Sequence, residues 1–365
     1  MTIVPSPAPR RRGFLAAGGW VVVLAIALSL SLFSWRALTL IRQHRGTIRG
    51  DGATPSSYGF PLRGAAVPAE DIVASGAVKD GVRALDLPVT WSAAEIAERW
   101  GGQRGKFLVP GDRVAGIVLG DEARAYPLRL LAWHEVVNDV VGGAPVAVVY
   151  SPLSDTVAAF DRRVDGEART FGVSGLLWNS TTLLYDRRDT PNEESLWGLL
   201  PPRPLAGPAL AAGHGLTLLP VTLTTWDRWQ HNHPETRVLA PDPAMRQQYR
   251  RAAYSSYLGS DLLRFPVRPL PPPHTVPFKT PVVVIPDNSR YYAFTHPALL
   301  ARASQDGTVE MDLDGRLWRF RVAERPAVIE VVAPDGTVPP VLHTFFFAWY
   351  ACQPAATRWI GFPSS

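Results

Sequence analysis

The apolar residues of this chain occur mostly in short runs that glycine, proline and aspartate interrupt. Val114–Leu119 and Ala123–Tyr126 are predicted as two strands joined by a Gly120-Asp121 turn. Ala144–Tyr150 is a continuous apolar and β-branched run, which is typical of a strand covered on both faces. Short strands separated by turns predict an α+β, strand-rich body.

A helix is predicted between these strands, from about Tyr126 to Val140. Pro127 suits the first turn of a helix, where its missing N–H costs no hydrogen bond, and Gly142-Gly143 suits the C-terminal exit. A second, shorter helix is predicted to begin after Ser92, because Ser92 and Glu95 have the spacing of a capping box.

The longer helix carries four polar side chains that are candidates for a site. A period of 3.6 residues places His134 and Asn138 beside its apolar stripe, so we expect them to be partly buried neighbours. Glu135 and Asp139 point away from that stripe. One helix cannot direct all four groups at one point, so a shared site needs a second element.

The segment Ser151-Pro152-Leu153-Ser154-Asp155 is the best candidate for that element. Its proline removes a ladder donor, and its Ser and Asp side chains bond readily to nearby backbone. We therefore expect a rigid loop before a strand at Thr156–Phe160. Loops held by a rigid scaffold often carry binding groups.

The uncharged run from Gly13 to Trp35 is long enough to cross a bilayer core of roughly 30 Å. We interpret residues 1–12 as a cytoplasmic N-terminus, 13–35 as a transmembrane anchor or uncleaved export signal, 36–70 as a linker and 71–361 as an extracytoplasmic, periplasmic domain. Arg11-Arg12-Gly13-Phe14-Leu15 resembles a twin-arginine export signal, and no small-residue cleavage site closes the run. Arginines flank the run on both sides, so charge does not decide its orientation.

Charge and cysteine content exclude several classes of function. The chain has a net charge of +5, but seven arginines lie within residues 1–50, and the remainder carries 30 basic and 32 acidic residues. A nearly neutral body argues against nucleic-acid binding. Cys352 is the only cysteine, which excludes an intrachain disulfide and a metal site built from several cysteines.

The chain also resembles itself. The matching segments pair residues 114–128 with 281–294, and residues 229–237 with 349–358. Two matches in the same order predict two divergent internal repeats, at about residues 110–240 and about 277–361. The second copy has no counterpart of the motifs around His134 and Ser151, so these unshared motifs are the better candidates for function.

A series of short motifs is spread over roughly residues 71–360. They are Lys79-Asp80-Gly81-Val82, Glu122 to Leu128, Trp133 to Asp139, Gly142-Gly143, Tyr150 to Ser154, Phe160-Asp161-Arg162, Phe171 to Gly175, Asn179, Tyr185-Asp186 and Trp229 to Pro234. Together they resemble the bacterial domain-of-unknown-function 3179 family. The resemblance implies an exported or membrane-associated protein and names no reaction.

The chain departs from the family pattern at two positions. Many members similar to it carry cysteine at one or both of the positions where Ser151 and Ser154 stand here. Two thiolates beside His134 would form a soft-metal or redox site, whereas two hydroxyls are poor ligands for zinc or copper. Either this chain has lost that chemistry, or the function of the family does not need it.

The candidate ligand-binding residues are the polar members of these motifs: Lys79, Asp80, His134, Glu135, Asn138, Asp139, Ser151, Ser154, Asp155, Ser174 and Asn179. The cofactor stays open, with a metal ion as one option and His134 as its candidate ligand. Each residue has a structural alternative, because a buried histidine is often satisfied by hydrogen bonds, and Asn, Asp and Ser often serve turns and helix ends.

Three functions remain, and whether the protein is an enzyme stays open. We favour an extracytoplasmic binding or accessory protein whose pocket holds a metal ion or small polar ligand. The alternative is a hydrolase-like enzyme with His134 as general base and Ser151 or Ser154 as nucleophile, which requires a hydroxyl within about 3 Å of the imidazole. The third is a structural or interaction role without a site.

Overall fold

The computed structural model describes Ser29 and residues 49–100, 108–251, 253–272, 276–287 and 290–360. The anchor predicted at residues 13–35 therefore lies outside the described residues, apart from Ser29. Within the described ranges no helix combines the length and the apolar character needed to cross a membrane. Residues 49–70, predicted as part of a linker, pack against the body, because Tyr58 is fully buried and its hydroxyl donates to the Ala77 carbonyl at 2.5 Å.

The described residues form 24 β-strands in five sheets. In chain order the strands are β1 (Ile72–Ala74), β2 (Leu85–Asp86), β3 (Thr90–Ser92), β4 (Arg113–Leu119), β5 (Glu122–Pro127), β6 (Val136–Val141), β7 (Ala144–Ser151), β8 (Thr156–Asp161), β9 (Arg163–Val164), β10 (Glu167–Ala168), β11 (Phe171–Trp178), β12 (Thr181–Asp186), β13 (Leu196–Leu199), β14 (Pro202–Ala206), β15 (Thr217–Leu218), β16 (Thr222–Thr225), β17 (Arg237–Leu239), β18 (Pro281–Asp287), β19 (Arg290–Thr295), β20 (Thr308–Leu313), β21 (Arg316–Ala323), β22 (Val328–Val332), β23 (Leu342–Phe345) and β24 (Thr357–Ile360).

Eight α-helices lie between the described strands. They are α1 (Ala93–Trp100), α2 (Leu128–His134), α3 (Pro208–Ala211), α4 (Trp226–Asn232), α5 (Arg246–Tyr249), α6 (Ser255–Leu258), α7 (His296–Leu300) and α8 (Phe346–Cys352). All are short, so the sheets supply most of the framework. The strand-rich α+β body is therefore confirmed.

A nine-stranded sheet forms the central layer, with the order β2-β6-β7-β8-β23-β18-β19-β24 and β15 paired to β8. Val148 and Val157 belong to a core on one face, which also includes side chains of the β16-β4-β5-β17-β3 and β20-β21-β22 sheets. Val149 and Ala158 belong to a core on the other face, shared with the β1-β11-β12-β13-β14 sheet. Because both faces are covered, polar groups in this sheet need partners inside the protein.

Two four-stranded units have the same order and the same strand directions. In the first, β16 is antiparallel to β4, β4 is antiparallel to β5, and β5 is parallel to β17. In the second, β23, β18, β19 and β24 pair in the same way. A helix follows β5 and β19, and another precedes β17 and β24. Residues 114–128 thus form a hairpin that leads into a helix, and in the aligned segment β18 pairs with β19, which also leads into a helix.

The helix predicted from Tyr126 to Val140 is wrong in its second half. Helix α2 ends at His134, and Val136–Val141 form β6, which pairs with β7. Gly142-Gly143, predicted as a helix exit, form the turn of this hairpin, both with positive φ. The β-branched valines favour a strand once an apolar neighbour is available for pairing. His134 and Asn138 are therefore not one helical turn apart.

Other predicted elements are confirmed. Strands β4, β5, β7 and β8 cover the runs predicted as strands. The predicted capping box begins helix α1, because the Ser92 N–H donates to the Glu95 carboxylate at 2.7 Å and the Glu95 N–H donates to Ser92 Oγ at 3.2 Å. Local side-chain chemistry thus sets this helix start.

Asn138 joins the central sheet to β11. Its side-chain amide donates to the Phe171 carbonyl at 2.8 Å and accepts from the Phe171 N–H at 2.9 Å. The same amide nitrogen donates to Asp86 at 2.8 Å. One buried amide therefore satisfies both backbone groups of a residue in another sheet.

We predict that Asn138→Leu lowers the free energy of unfolding by about 3 kcal/mol, because it leaves a buried N–H and a buried C=O of Phe171 without partners. Urea denaturation of the full chain measures the change. The matched control is Asn232→Leu at an exposed position, which we expect to leave stability almost unchanged. Equal midpoints for the two variants would contradict the prediction.

Candidate functional site

A cavity of about 460 Å³ opens beside the central sheet. It is lined by β11 and β12, by the turn after β1, by the loop after β7 and by residues of the segment 253–265. Most of the lining side chains are apolar, and the polar groups among them are few. This composition is typical of a pocket for a small molecule.

Strand β11 is bulged where it lines the cavity. Its pairing with β12 shifts register between Val173 and Leu177, and Gly175 lies within the bulge at φ 83°. A Cβ atom at Gly175 would lie 2.7 Å from the Ala77 carbonyl oxygen, so this position requires glycine. Bulges of this kind often lie next to functional sites.

Glu135 carries the only carboxyl group among the described residues that line the cavity. Its side chain is buried, with 6% of the residue exposed, and its Oε2 accepts a hydrogen bond from the Thr182 hydroxyl at 2.7 Å. Burial raises the pKa of Glu135 to about 7, and the bond from Thr182 lowers it in part. Near neutral pH this carboxyl group is therefore able both to donate and to accept a proton.

The backbone at Glu135 adopts φ 58° and ψ −33°. Positive φ is uncommon outside glycine, and asparagine and aspartate adopt it more readily than glutamate does. The Glu135 N–H donates to the Leu131 carbonyl at 2.7 Å, and its carbonyl accepts from the Tyr150 N–H at 2.8 Å, so the backbone is held on both sides. Such conformations cost on the order of 1–3 kcal/mol and concentrate at functional sites.

Hydroxyl groups connect Glu135 to the central sheet. Ser151 Oγ donates to Thr182 Oγ1 at 3.2 Å, and Thr182 Oγ1 donates to Glu135. The Thr182 N–H in turn donates to Ser151 Oγ at 3.0 Å. Ser151 is fully buried, so this predicted site residue is joined to the cavity through Thr182.

His134 is hydrogen-bonded elsewhere. Its Nδ1 is 2.8 Å from the Arg83 carbonyl oxygen, and its Nε2 is 2.6 Å from the Tyr249 hydroxyl. Burial lowers the pKa of His134, so the ring is mostly neutral at pH 7. Among the described residues no hydrogen bond joins His134 to Ser151 or Ser154. The arrangement is that of a core histidine satisfied by hydrogen bonds.

Asp155 belongs to an ionic cluster of its own. The Arg113 guanidinium donates to both of its carboxylate oxygens, at 3.2 and 2.8 Å, and the Tyr150 hydroxyl donates at 2.9 Å. Arg113 and Tyr150 line a second cavity of about 320 Å³. Tyr254 lines both cavities and so lies between them.

The remaining polar residues that were predicted lie on β6 and β11, after β7 and after β11, and each has hydrogen-bond partners inside the protein. Asn138, Asp139, Ser154, Ser174 and Asn179 are all buried. Asn138 bonds to Phe171 and Asp86, and Asp139 bonds to Arg124 and Tyr126. Ser154 bonds to Thr156, Ser174 bonds to Leu183 and Leu176, and Asn179 bonds to Arg268 and Cys352. None of these five residues lines either cavity.

Lys79 and Asp80 form a separate polar cluster. Lys79 pairs with Glu194 at 2.5 Å and lies over the Tyr185 ring, 3.9 Å from its centroid. Burial lowers the pKa of Lys79, and the bond to Glu194 opposes that shift. Asp80 accepts from the Tyr185 hydroxyl and pairs with Arg187 at 3.3 Å. Neither Lys79 nor Asp80 lines the cavity that contains Glu135.

Tyr254, Arg264 and Phe265 line the cavity but were not predicted from the sequence. They lie in a segment without a helical or strand period, where a cluster of aromatic residues is the only signal of burial. Tyr254 and Glu135 line the same cavity, and burial raises the pKa of Tyr254 to about 12, with a smaller contribution from the charge of Glu135.

Lys279 fixes the segment that carries these residues. Its ammonium group donates to the carbonyls of Ser260 at 2.5 Å and Leu262 at 2.9 Å, and to that of Tyr257. The Tyr257 hydroxyl donates to the Leu153 carbonyl at 2.8 Å. The segment is therefore bonded to Lys279 and to the loop after β7, which holds the wall of the cavity in place.

The donor set for a metal ion is sparse. Over the part of the chain that the structure describes, no group of three or more His, Cys, Asp or Glu side chains is placed to hold a metal ion. Glu135, the carboxyl group of the cavity, has hydroxyl and aromatic neighbours instead.

Fold and cavity define a strand-rich α+β protein with a buried carboxyl group in an apolar pocket. The chain belongs to the family described as Protein of unknown function (DUF3179), whose profile matches residues 79–333. This membership confirms the resemblance seen in the motifs. No curated protein and no solved structure matches the chain.

The raised pKa of Glu135 predicts a pH-dependent stability. Folded Glu135 holds its proton up to about pH 7, whereas the ordinary value is 4.5. Stability is therefore lost as pH rises between these values, by about 3 kcal/mol, and is constant above them. Glu135→Gln removes the titrating group and with it this loss.

Urea denaturation of the full chain and of Glu135→Gln between about pH 4 and about pH 8 tests this prediction. The stability of the parent should fall relative to the variant as pH rises. The matched control is Glu193→Gln at an exposed position, whose curve should run parallel to that of the parent. A Glu135→Gln curve that is also parallel would show that Glu135 titrates normally.

Proposed function

We propose that this protein binds a small ligand in the cavity that contains Glu135. The observation that carries the proposal is a buried carboxyl group with a raised pKa beside open volume. Ligand pockets have volumes of roughly 300–1,000 Å³ and combine apolar walls with a few placed polar groups. Strongly shifted pKa values concentrate at such sites.

The walls of the cavity support this proposal. Leu153, Leu176, Leu177 and Phe265 supply apolar surface, and Thr182 supplies the hydroxyl that orients the Glu135 carboxyl group. Both oxygens of a carboxyl group form hydrogen bonds, and among the described residues Thr182 is the one side chain bonded to Glu135. A ligand would therefore find remaining capacity for hydrogen bonding there.

The hydrolase alternative has less support. It needs a serine hydroxyl within hydrogen-bond reach of His134. His134 is instead bonded to Arg83 and Tyr249, and the Ser151 hydroxyl is bonded to Thr182. Binding is therefore favoured over nucleophilic catalysis by these serines.

The test of ligand binding is a fragment screen with neutral, anionic and cationic compounds, read by ligand-observed NMR on the full chain. We predict that fragments bound by the parent lose at least about tenfold in affinity in Glu135→Met, because this change keeps the side-chain volume but removes the polar anchor.

Glu193→Met is the matched control, because Glu193 is exposed and lies outside the cavity lining. It should bind every fragment as the parent does. Circular dichroism spectra establish that both variants are folded. If no fragment distinguishes Glu135→Met from the parent, the cavity is not the binding site.

We also propose that residues 13–35 anchor the protein in the cell membrane as a single-pass segment, with the body outside the cytoplasm. The support is the uncharged run flanked by arginines and its length relative to a bilayer. The rest of the chain is nearly neutral and has cores of its own.

Deletion of residues 1–40 should move the protein from the membrane fraction to the soluble fraction without loss of the folded body, since it removes the long apolar run. Cell fractionation measures the shift, and thermal unfolding compares the bodies. A truncated chain that stays with the membrane, or that aggregates where the full chain in detergent is monodisperse, would contradict the proposal.

A tandem duplication is our proposal for the origin of the body. Its support is the shared strand order of the two four-stranded units and a shared polar contact. Arg124 and Tyr126 both donate to Asp139, and at the aligned positions Arg290 and Tyr292 both donate to Asp314.

A further inference from the structure

We propose that the ligand of the Glu135 cavity is a small carboxylate with an apolar body, whose anionic group lies at Arg264 and whose far end carries an oxygen that accepts a hydrogen bond from Glu135. This inference rests on the proposed function, because it assigns the chemical class of the ligand of that same cavity. It is carried by the position of the charged groups around the apolar walls.

Arg264 places a positive charge on the solvent side of the cavity. It lines the cavity, yet it is exposed. Its guanidinium group lies 5.1 Å from the centroid of the Tyr257 ring, and no ion pair joins it to an acidic group among the described residues. A planar guanidinium with available donors is suited to a carboxylate, which it can bind in a bidentate manner.

A second cation lies near Arg264. The Lys279 ammonium group lies 3.4 Å from the centroid of the same Tyr257 ring, but it does not line the cavity, and the charge of Asp261 offsets part of its own. Arg264 is therefore the group that attracts anions and repels ammonium groups at the cavity.

The interior favours an apolar body rather than a second charge. Leu153, Leu176 and Leu177 line the cavity together with the buried Val173. Burial of apolar ligand surface against such walls contributes roughly 25 cal/mol for each Å² removed from water. The ligand thus gains affinity from its body inside and from its charge at the mouth.

The protonation state of Glu135 determines whether the cavity accepts an anion. The titratable and charged side chains that line the cavity are Glu135, Tyr254 and Arg264. With its proton, Glu135 is neutral and can donate a hydrogen bond to an oxygen of the ligand. Without it, the carboxylate repels a second anion.

Three probes with one skeleton separate the ligand classes: 3-(4-methoxyphenyl)propanoate, 3-(4-methoxyphenyl)propanamide and 3-(4-methoxyphenyl)propylamine, whose ether oxygen can accept a hydrogen bond from Glu135. Calorimetric titration of the full chain at about pH 6, where Glu135 is mostly protonated, gives their affinities. We expect the carboxylate to bind most tightly. Arg264→Gln should weaken it about tenfold and weaken the amide much less, because only the carboxylate forms an ion pair with the guanidinium group.

The matched control for Arg264 is Arg251→Gln, at an exposed arginine of the same region that does not line the cavity. It should leave all three affinities unchanged. In the parent, a rise to about pH 8 should weaken binding of the carboxylate, and this loss should be absent in Glu135→Gln.

The outcomes distinguish this inference from the proposed function. If the amine or the amide binds at least as tightly as the carboxylate, or if Arg264→Gln changes nothing, the carboxylate class is overturned. Cavity binding itself then stands as long as Glu135→Met weakens the probe that binds. If none of the three probes binds, or if Glu135→Met weakens none of them, both proposals are overturned.

Discussion

A sheet covered on both faces obliges every polar side chain within it to find a partner inside the protein. The central sheet meets this condition with cross-strand contacts, since Thr156 bonds to Ser154 and to Thr344, each at 2.8 Å. Successive side chains of β7 point to opposite faces of the sheet. Ser151 therefore belongs to a polar cluster on one face, and Tyr150 belongs to a cluster with Asp155 and Arg113 on the other. The Ser151 cluster adjoins the cavity that contains Glu135, and the Tyr150 cluster adjoins the second cavity.

Glu135 departs from that pattern, as does His343 of β23, whose buried Nε2 has no hydrogen-bond partner among the described residues. It stands where the chain changes from helix α2 to strand β6, in a backbone conformation that glutamate rarely adopts. Its carboxyl group is buried beside a cavity, and its one side-chain partner among the described residues is Thr182. A strained backbone and a costly buried acid at one residue are two departures from optimal stability, and such departures are expected where function requires them.

Sequence patterns predicted the fold class and several strands because alternation, turns and caps act over short distances. They failed between Val136 and Val141, because a valine-rich run that follows a helix can either continue the helix or form a strand. Which of the two it forms depends on pairing with another strand, which a local pattern does not contain. Glu135 was among the candidates, but its partner Thr182 was not. That contact joins residues 47 positions apart, so no local sequence pattern predicts it. The segment of Tyr254 and Arg264 was missed for the same reason.

The hydroxyl groups of this chain are consistent with a carboxyl-centred site rather than a thiolate-centred one. Ser151 accepts from the Thr182 N–H and donates to the Thr182 hydroxyl, which leaves that hydroxyl proton directed at Glu135. A thiol is a weaker donor and a weaker acceptor than a hydroxyl, so cysteine at this position would orient Thr182 less firmly. Ser151 therefore orients the Glu135 carboxyl group through Thr182 although it does not line the cavity, so any effect of Ser151 on the proposed ligand passes through the position of that carboxyl group.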